Sequence, residues 1–475
     1  MSLENQETGS IKPLPRLLFD IYALALPRGH GFGQRPPIGA WQREDGISFG
    51  VITQHVETAD IGILVMRRRV DNTWAEVANE TGLASLVIAM SKIEHLLQDG
   101  SSKEPMPSNT APRPALADFG DRKTSAVFRT LATPSHLIGA WTLNQLYLAM
   151  PAPDKNWVGD CQTGNFHTRL WEAQLLASLR EQGLHVTQPY PSPDFRIENR
   201  KGGAAWVEAV TANPTVPYDH VNARPSLQPE ERDALFFGPA ALRFAKTLGN
   251  KLQKDYHLLP HVKDMPFAIA LADFHAPASM IWSREALIGY LYGLGAEPQD
   301  IDGKRVAVST KRAELLGETS FPAGLFSDNR HEELSAVVFS NACSISKLNR
   351  VPISAGADTG GFRYMRIGHF FDRTPGALEG IPFCLDITSE EYRSLWPQGY
   401  EPWSAEFEVF HNPHARHPLP EVLIPEATHW VQENGEMICR AFYETSILWS
   451  QTRILNQDDR VPTLDDFLPR DGDTD

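Results

Sequence analysis

Apolar and polar residues alternate from Gly39 to Ala78 with a period of two. This predicts a small antiparallel meander of four strands, Trp41–Asp45, Ile47–Gln54, Ile61–Arg69 and Trp74–Val77. Asp45-Gly46 and Asp71-Asn72 supply its turns. The period then lengthens to helical spacing over Leu83–Leu97. Residues 99–116 are rich in Ser, Pro and Asn, poor in apolar side chains, and read as a linker. Helical spacing returns over Thr124–Met150 and around Trp171–Leu179. Phe195 and Ile197 alternate with Asp194, Arg196 and Glu198 as in a half-buried strand, and Trp206–Ala212 is an apolar strand broken by Glu208. Further on lie a helix over Ala240–Lys254, a buried strand over Pro266–Ala272 and a helix over Ser283–Tyr292. Beyond Asp302 the pattern mixes helices and strands, the clearest strand being Leu334–Ser340.

This order predicts an α/β protein: an N-terminal β-rich unit with one helix (1–98), the linker (99–116), an α/β core (117–300), a mixed α+β region (301–456) and an acidic tail (457–475).

Three acids interrupt the apolar segments of the core. Leu176 and Leu179 lie four and seven residues after Glu172, so its carboxylate shares a helix face with core leucines. Asp194 opens one strand and Glu208 sits midway along the next. The residues between them, Asn199 to Gly203, suit a hairpin loop. A loop symmetric about Lys201 leaves Asp194 and Glu208 seven residues from its centre, directly opposed. Opposed residues on neighbouring strands have Cβ atoms roughly 4.5–5.5 Å apart. Two carboxylates so close raise one another's pKa unless a cation joins them. Mg²⁺ suits that position, because it binds few protein carboxylates and keeps several waters.

A helix acid, Pro193-Asp194 on one strand and Glu208 on the next resemble the core of the PD-(D/E)XK nucleases. The resemblance implies a PD-(D/E)XK (restriction-endonuclease-like) fold, Mg²⁺ or Mn²⁺ as cofactor and nucleic acid, with DNA expected, as partner. It implies that Asp194 and Glu208 hold the metal and that Glu172 orients a metal-bound water. The sequence departs from the pattern at Val210, where the family carries a lysine two residues after the second acid. Some members place that lysine on the following helix. On the 240–254 helix, Ala241, Ala245, Leu248 and Leu252 form the buried stripe, Lys251 stands at its border, and Lys246 and Lys254 point away. Lys251 is therefore the favoured candidate and Lys246 the second. Short pieces such as Ala272-Asp273-Phe274-His275 and Phe410-His411-Asn412-Pro413 look like a bacterial family that carries no assigned activity. That likeness spans most of Trp157–Leu419 and implies no mechanism.

Composition narrows the reading. A net charge of −15 excludes a protein that coats nucleic acid through bulk electrostatics, though local basic clusters are compatible with a nuclease. Two such clusters are Arg243, Lys246, Lys251 and Lys254, and Arg363, Arg366 and Arg373. Their plainer reading is a solvated helix face and strand exteriors. No apolar run approaches the length of a membrane helix, and the polar, acidic start Met1–Glu7 is unlike a secretory signal. Four scattered cysteines suit a reducing cytoplasm.

His411, His414 and His417 recur every three residues, but Pro413 and Pro418 forbid a regular helix that would gather them, and the spacing matches no standard zinc site. The glycines of 356–361 lack the Gly-Lys-Ser/Thr ending of a phosphate loop. Two functions follow as expectations: a Mg²⁺-dependent nuclease, or a nuclease-derived scaffold in which Val210 marks a decayed site.

Overall fold

The N-terminal alternation folds as expected and extends further. In the computed structural model, which describes residues 10–467 apart from 27, 30, 99–102, 215–236, 318–320 and 435, the first elements are β1 (Ile11–Pro13), α1 (Arg16–Ala23), β2 (Pro37–Arg43), β3 (Ser48–Gln54), β4 (Ile61–Arg68), β5 (Trp74–Leu83) and α2 (Leu86–Gln98). The five strands form one antiparallel sheet in chain order. Its turns place Gly46 and Asn72 at positive φ, a conformation these two residues adopt at little cost. The helix expected from Leu83 starts at Leu86 because β5 stays paired with β4 as far as Ile61 opposite Leu83.

Side-chain alternation divides this sheet between two cores. Ile52, Ile63 and Val65 pack on Ala89, Ile93 and Leu97 of α2. Phe49, Val51, Leu64 and Met66 point the other way and join the main core. Within the expected linker, Glu104 pairs with Arg67 at 3.0 Å, and the Arg113 guanidinium donates to the carbonyls of Tyr147 and Leu148. Residues 99–102 of that segment lie outside the described residues, as do Met1–Glu7 and the end of the acidic tail from 468.

The elements that follow are α3 (Ala126–Thr130), α4 (Leu137–Ala149), α5 (Trp157–Gln162), α6 (Phe166–Glu181), β6 (His185–Thr187), β7 (Phe195–Glu198), β8 (Ala204–Ala212), α7 (Pro239–Leu252), β9 (Phe267–Asp273), α8 (Arg284–Tyr292), the ribbon β10 (Leu294–Ile301) and β11 (Lys304–Lys311), and the short pair β12 (Glu314–Leu315) and β13 (Phe321–Pro322). After them come β14 (Ala336–Ser340), α9 (Ile345–Ser354), β15 (Phe362–Phe370), β16 (Ile381–Asp386), α10 (Glu390–Arg393), β17 (Phe407–His411), β18 (Thr428–Glu433), β19 (Glu436–Ala441) and β20 (Ile447–Asn456).

An eight-stranded mixed sheet of order β19-β18-β17-β14-β9-β8-β7-β6 organises the protein, which is mixed α/β. Strands β6, β7 and β8 are antiparallel, whereas β8, β9 and β14 run parallel. Parallel strands are covered on both faces, which is why β9 is buried along its whole length. Its alanines, Ala268, Ala270 and Ala272, belong to the core shared with α6, and Phe267, Ile269 and Leu271 to the core shared with α7 and α8. Small residues on the first face let α6 approach closely enough for the Trp171 indole to donate to the Ala270 carbonyl at 2.9 Å. No helix among the described residues is long and apolar enough to cross a membrane.

Strands β16, β15 and β20 form a separate three-stranded sheet joined to the main body by buried ion pairs. Lys347 Nζ lies 2.7 Å from Glu406, Arg350 makes 2.9 Å contacts with Glu401, and the fully buried Arg366 reaches both acids. Tyr392 donates its hydroxyl to Glu401. The cluster of Arg363, Arg366 and Arg373 does not form a basic face: Arg366 is inside this network and Arg363 pairs with Asp386. These charges pull Glu406 well below the usual carboxylate range despite its burial. Removing one partner from such a network leaves a buried charge uncompensated, at a cost of about 3–5 kcal/mol. Arg366→Met should lower the unfolding free energy by about that amount in chemical denaturation. A loss below about 1 kcal/mol would mean that the network carries no such weight.

Candidate active site

Asn199 shapes the hairpin that sets the site. Its side-chain oxygen accepts the Lys201 and Gly203 amides, its own amide donates to the Gly203 carbonyl, and Gly202 takes a positive φ. The register runs from Glu198 opposite Ala204 to Phe195 opposite Val207. One step further, Asp194 faces Glu208, as the symmetry about Lys201 predicts.

The two acids interlock through each other's backbone. The Asp194 amide donates to Glu208 Oε2 at 3.2 Å, and the Ala209 amide donates to Asp194 Oδ2 at 2.8 Å. Glu208 is 4 % exposed. Its Oε1 accepts Lys251 Nζ at 2.5 Å and the Tyr256 hydroxyl at 2.6 Å. Lys251 arrives from α7, whose Ala241, Phe244, Ala245 and Leu248 are buried against the β8–β9 face. Its stem crosses the border of that apolar stripe and its ammonium turns inward.

Asp194 keeps part of its surface in solvent, yet its carboxyl is pushed up to about 8. Burial is the largest cause, the Glu208 charge the next and the Glu172 charge the third. The Ala209 amide and Lys251 act in the opposite direction and do not balance them.

Glu172 is held from the other side of the sheet. Its carboxylate accepts the Trp157 indole N–H at 2.9 Å and two contacts from Arg169, one helical turn earlier, at 2.9 and 3.0 Å. Arg169 also reaches Asp160 at 2.5 Å and Asp154 at 3.5 Å. Burial raises the Glu172 pKa, and Arg169 counters it. Lys246 is exposed on the opposite side of α7 and is not drawn into the site. Val210 points to the same side as Glu208 and packs, half-buried, in the α7 core.

Of the five candidate residues, the structure joins Asp194, Glu208 and Lys251 directly, brings the Glu172 charge within range and leaves Lys246 out. The sequence reading missed Tyr256, Arg169 and Trp157. Arg169 was legible as an i,i+3 partner of Glu172. Tyr256 follows a residue in left-handed conformation, Asp255, and sits in a single 3₁₀ turn, so no periodicity points to it.

Two acids rather than three face each other, and among the described residues no group of three or more His, Cys, Asp or Glu is arranged to hold a metal. A pair of carboxylate oxygens is still a donor set for a hard cation that keeps most of its ligands as water. The histidine segment is different. His411 and His429 bond each other at 2.8 Å, and burial lowers His411 to about 4, which makes it a neutral interior pair. Asn412 ties the following turn to the carbonyls of His331 and Leu334.

No family model, no curated protein and no solved structure matches the chain.

The Asp194 shift has a stability consequence. Its folded pKa near 8 lies above the unfolded carboxylate value of about 4. The folded state therefore holds this proton more tightly, and the associated stability is complete below about pH 4 and lost as pH rises through about 8. In EDTA, the melting temperature of wild type should fall over that window relative to Asp194→Asn, whose amide keeps an acceptor for Ala209. A wild-type minus mutant difference that is constant with pH would show that Asp194 is not held in a repelled state.

Proposed function

We propose that the chain is a divalent-metal-dependent nuclease built on a PD-(D/E)XK-like core. The order α6, β6, β7, β8, α7, β9 and the position of the acids on it support this reading. The observation that carries it is the opposed Asp194–Glu208 pair, held by each other's backbone amides, with an amine from α7 beside them.

Asp194 and Glu208 would hold Mg²⁺ or Mn²⁺ between them. The chemistry supplied by such a cation is Lewis-acid polarisation of a phosphoryl oxygen and a lowered pKa of bound water. Glu172, fixed by Trp157 and Arg169, would orient a metal-bound water. Tyr256 and Lys251 fix the Glu208 carboxylate. When phosphate enters, the Lys251 ammonium can turn from Glu208 to the phosphoryl oxygens, where charge develops in the transition state. The acidic body leaves recognition of nucleic acid to local cations, among them the exposed Lys246 and Lys254. All four cysteines are free, as a cytoplasmic setting would keep them.

A second reading, a nuclease-derived scaffold, is favoured by a different observation. Glu172 already has Arg169 and Trp157 as partners, and Glu208 is already satisfied by Lys251, Tyr256 and a backbone amide. Calorimetric titration with Mg²⁺ separates the two, since a scaffold has no reason to bind the ion at Asp194 and Glu208.

For the nuclease, Asp194→Asn and Glu208→Gln should each abolish Mg²⁺-dependent cleavage of a labelled oligonucleotide while the protein stays folded. Lys251→Met should slow cleavage on the order of 100-fold or more, the usual consequence of removing one donor to developing charge, with Lys246→Met near wild type. Equal rates for the two lysine variants would remove Lys251 from the chemistry.

A further inference from the structure

Beside the acid pair stands an aromatic stack that the nuclease chemistry does not use. Tyr190, four residues before Asp194, is 49 % exposed. Its ring lies parallel to that of His261, with centroids 3.9 Å apart and planes at 11°. His261 in turn meets the fully buried Trp206 edge-on at 4.9 Å. The His261 ring is fixed by its Nε2, which donates to the Ser192 carbonyl at 2.9 Å. Trp206 precedes Glu208 by two residues on the same face of β8, about 7 Å along the strand.

Tyr190 also lies against Trp206, centroids 5.9 Å apart and planes at 52°, so the three rings form one compact cluster on the side of the sheet that carries both acids, and the half-exposed Tyr190 ring is its solvent side. Large aromatic surface left half exposed on a rigid backing is costly in water and useful in recognition, because little conformational entropy remains to be lost on binding. The exposed Lys263, two residues past His261, and Lys254, 5.9 Å from the Tyr256 ring, add positive charge nearby.

We propose that Tyr190, backed by His261 and Trp206, is a stacking platform for an unpaired nucleobase adjacent to the scissile phosphate, so that the substrate class is single-stranded nucleic acid. This rests on the nuclease reading for the phosphate and on the ring geometry for the base. In a duplex both faces of each interior base are already stacked on neighbours, and none is available to Tyr190. A single strand can turn a base onto the ring while its backbone crosses the acids. Aromatic stacking tolerates every base, so the platform selects for strandedness and not for sequence.

The test is binding of the full chain in EDTA, followed by fluorescence anisotropy, to single-stranded DNA, single-stranded RNA and the DNA duplex of the same sequence. Single strands should bind more tightly than the duplex. Tyr190→Ala should weaken single-strand binding by about five- to 150-fold, the range that loss of one stacked base gives, and leave duplex binding unchanged. Tyr190→Phe, which keeps the ring, should bind as wild type does. The DNA and RNA arms identify the strand that carries the base. Tyr190→Ala binding single strands as tightly as wild type, or wild type binding no oligonucleotide or showing no single-strand preference, would overturn the platform. Cleavage by wild type in Mg²⁺ is read separately. Tyr190-dependent binding without cleavage would sustain the platform and remove the nuclease, and cleavage without Tyr190 dependence would do the reverse.

Discussion

Two carboxylates facing each other across adjacent strands repel, and the surroundings of Asp194 and Glu208 are arranged against that repulsion. Each acid takes a backbone amide from the other's strand, which fixes the pair without separating it. A hydroxyl and an ammonium converge on a single oxygen of Glu208. The compensation is uneven. Glu208 receives both side-chain donors, while Asp194 receives one amide and stays hard to ionise. The position of Lys251 rests in turn on α7, and α7 is held by apolar packing of Phe244, Ala245 and Leu248 on the sheet. The electrostatics of the site thus depend on a hydrophobic contact that carries no charge.

Parity along β8 makes this arrangement stable against slippage. Ala205, Val207 and Ala209 belong to the α6 core, whereas Trp206, Val210 and Ala212 belong to the α7 core. A shift of one residue would carry Glu208 into the alanine-lined face under α6 and turn Val207 out of its core. The Asn199 loop resists the shift by using its side chain to fix the hairpin at Lys201 and Gly203. The same parity puts Trp206 beside Glu208, so the aromatic stack and the acid pair have a common origin in one strand.

What could be read from the chain was local. The opposed acids followed from counting residues about Lys201, and Lys251 followed from the helical wheel, because both depend on fixed backbone periods. The eight-stranded sheet did not follow. Ala336–Ser340 was legible as a strand, but nothing in its sequence shows that it lies parallel to Phe267–Asp273, or that β17, β18 and β19 continue the same sheet. Pairing between segments so far apart is set by the packing of whole faces. The buried network of Lys347, Arg350, Arg366, Glu401 and Glu406 was hidden for another reason. Charged residues are mostly exposed, so residue type alone placed Arg366 on a strand exterior.

Val210 is best understood by counting charge. Fully ionised, Asp194, Glu208 and Glu172 would bring three negative charges, against which stand Lys251 and Arg169. Arg169 is divided among Glu172, Asp160 and Asp154, so its charge is only partly available to Glu172. The negative excess is relieved at Asp194, the member with the weakest side-chain compensation, which keeps its proton to a higher pH than an ordinary carboxyl. A lysine at 210 would reduce that excess from within the strand. With valine there, the amine comes from α7 instead, so the charge that stands against the acids depends on the apolar docking of that helix on the sheet.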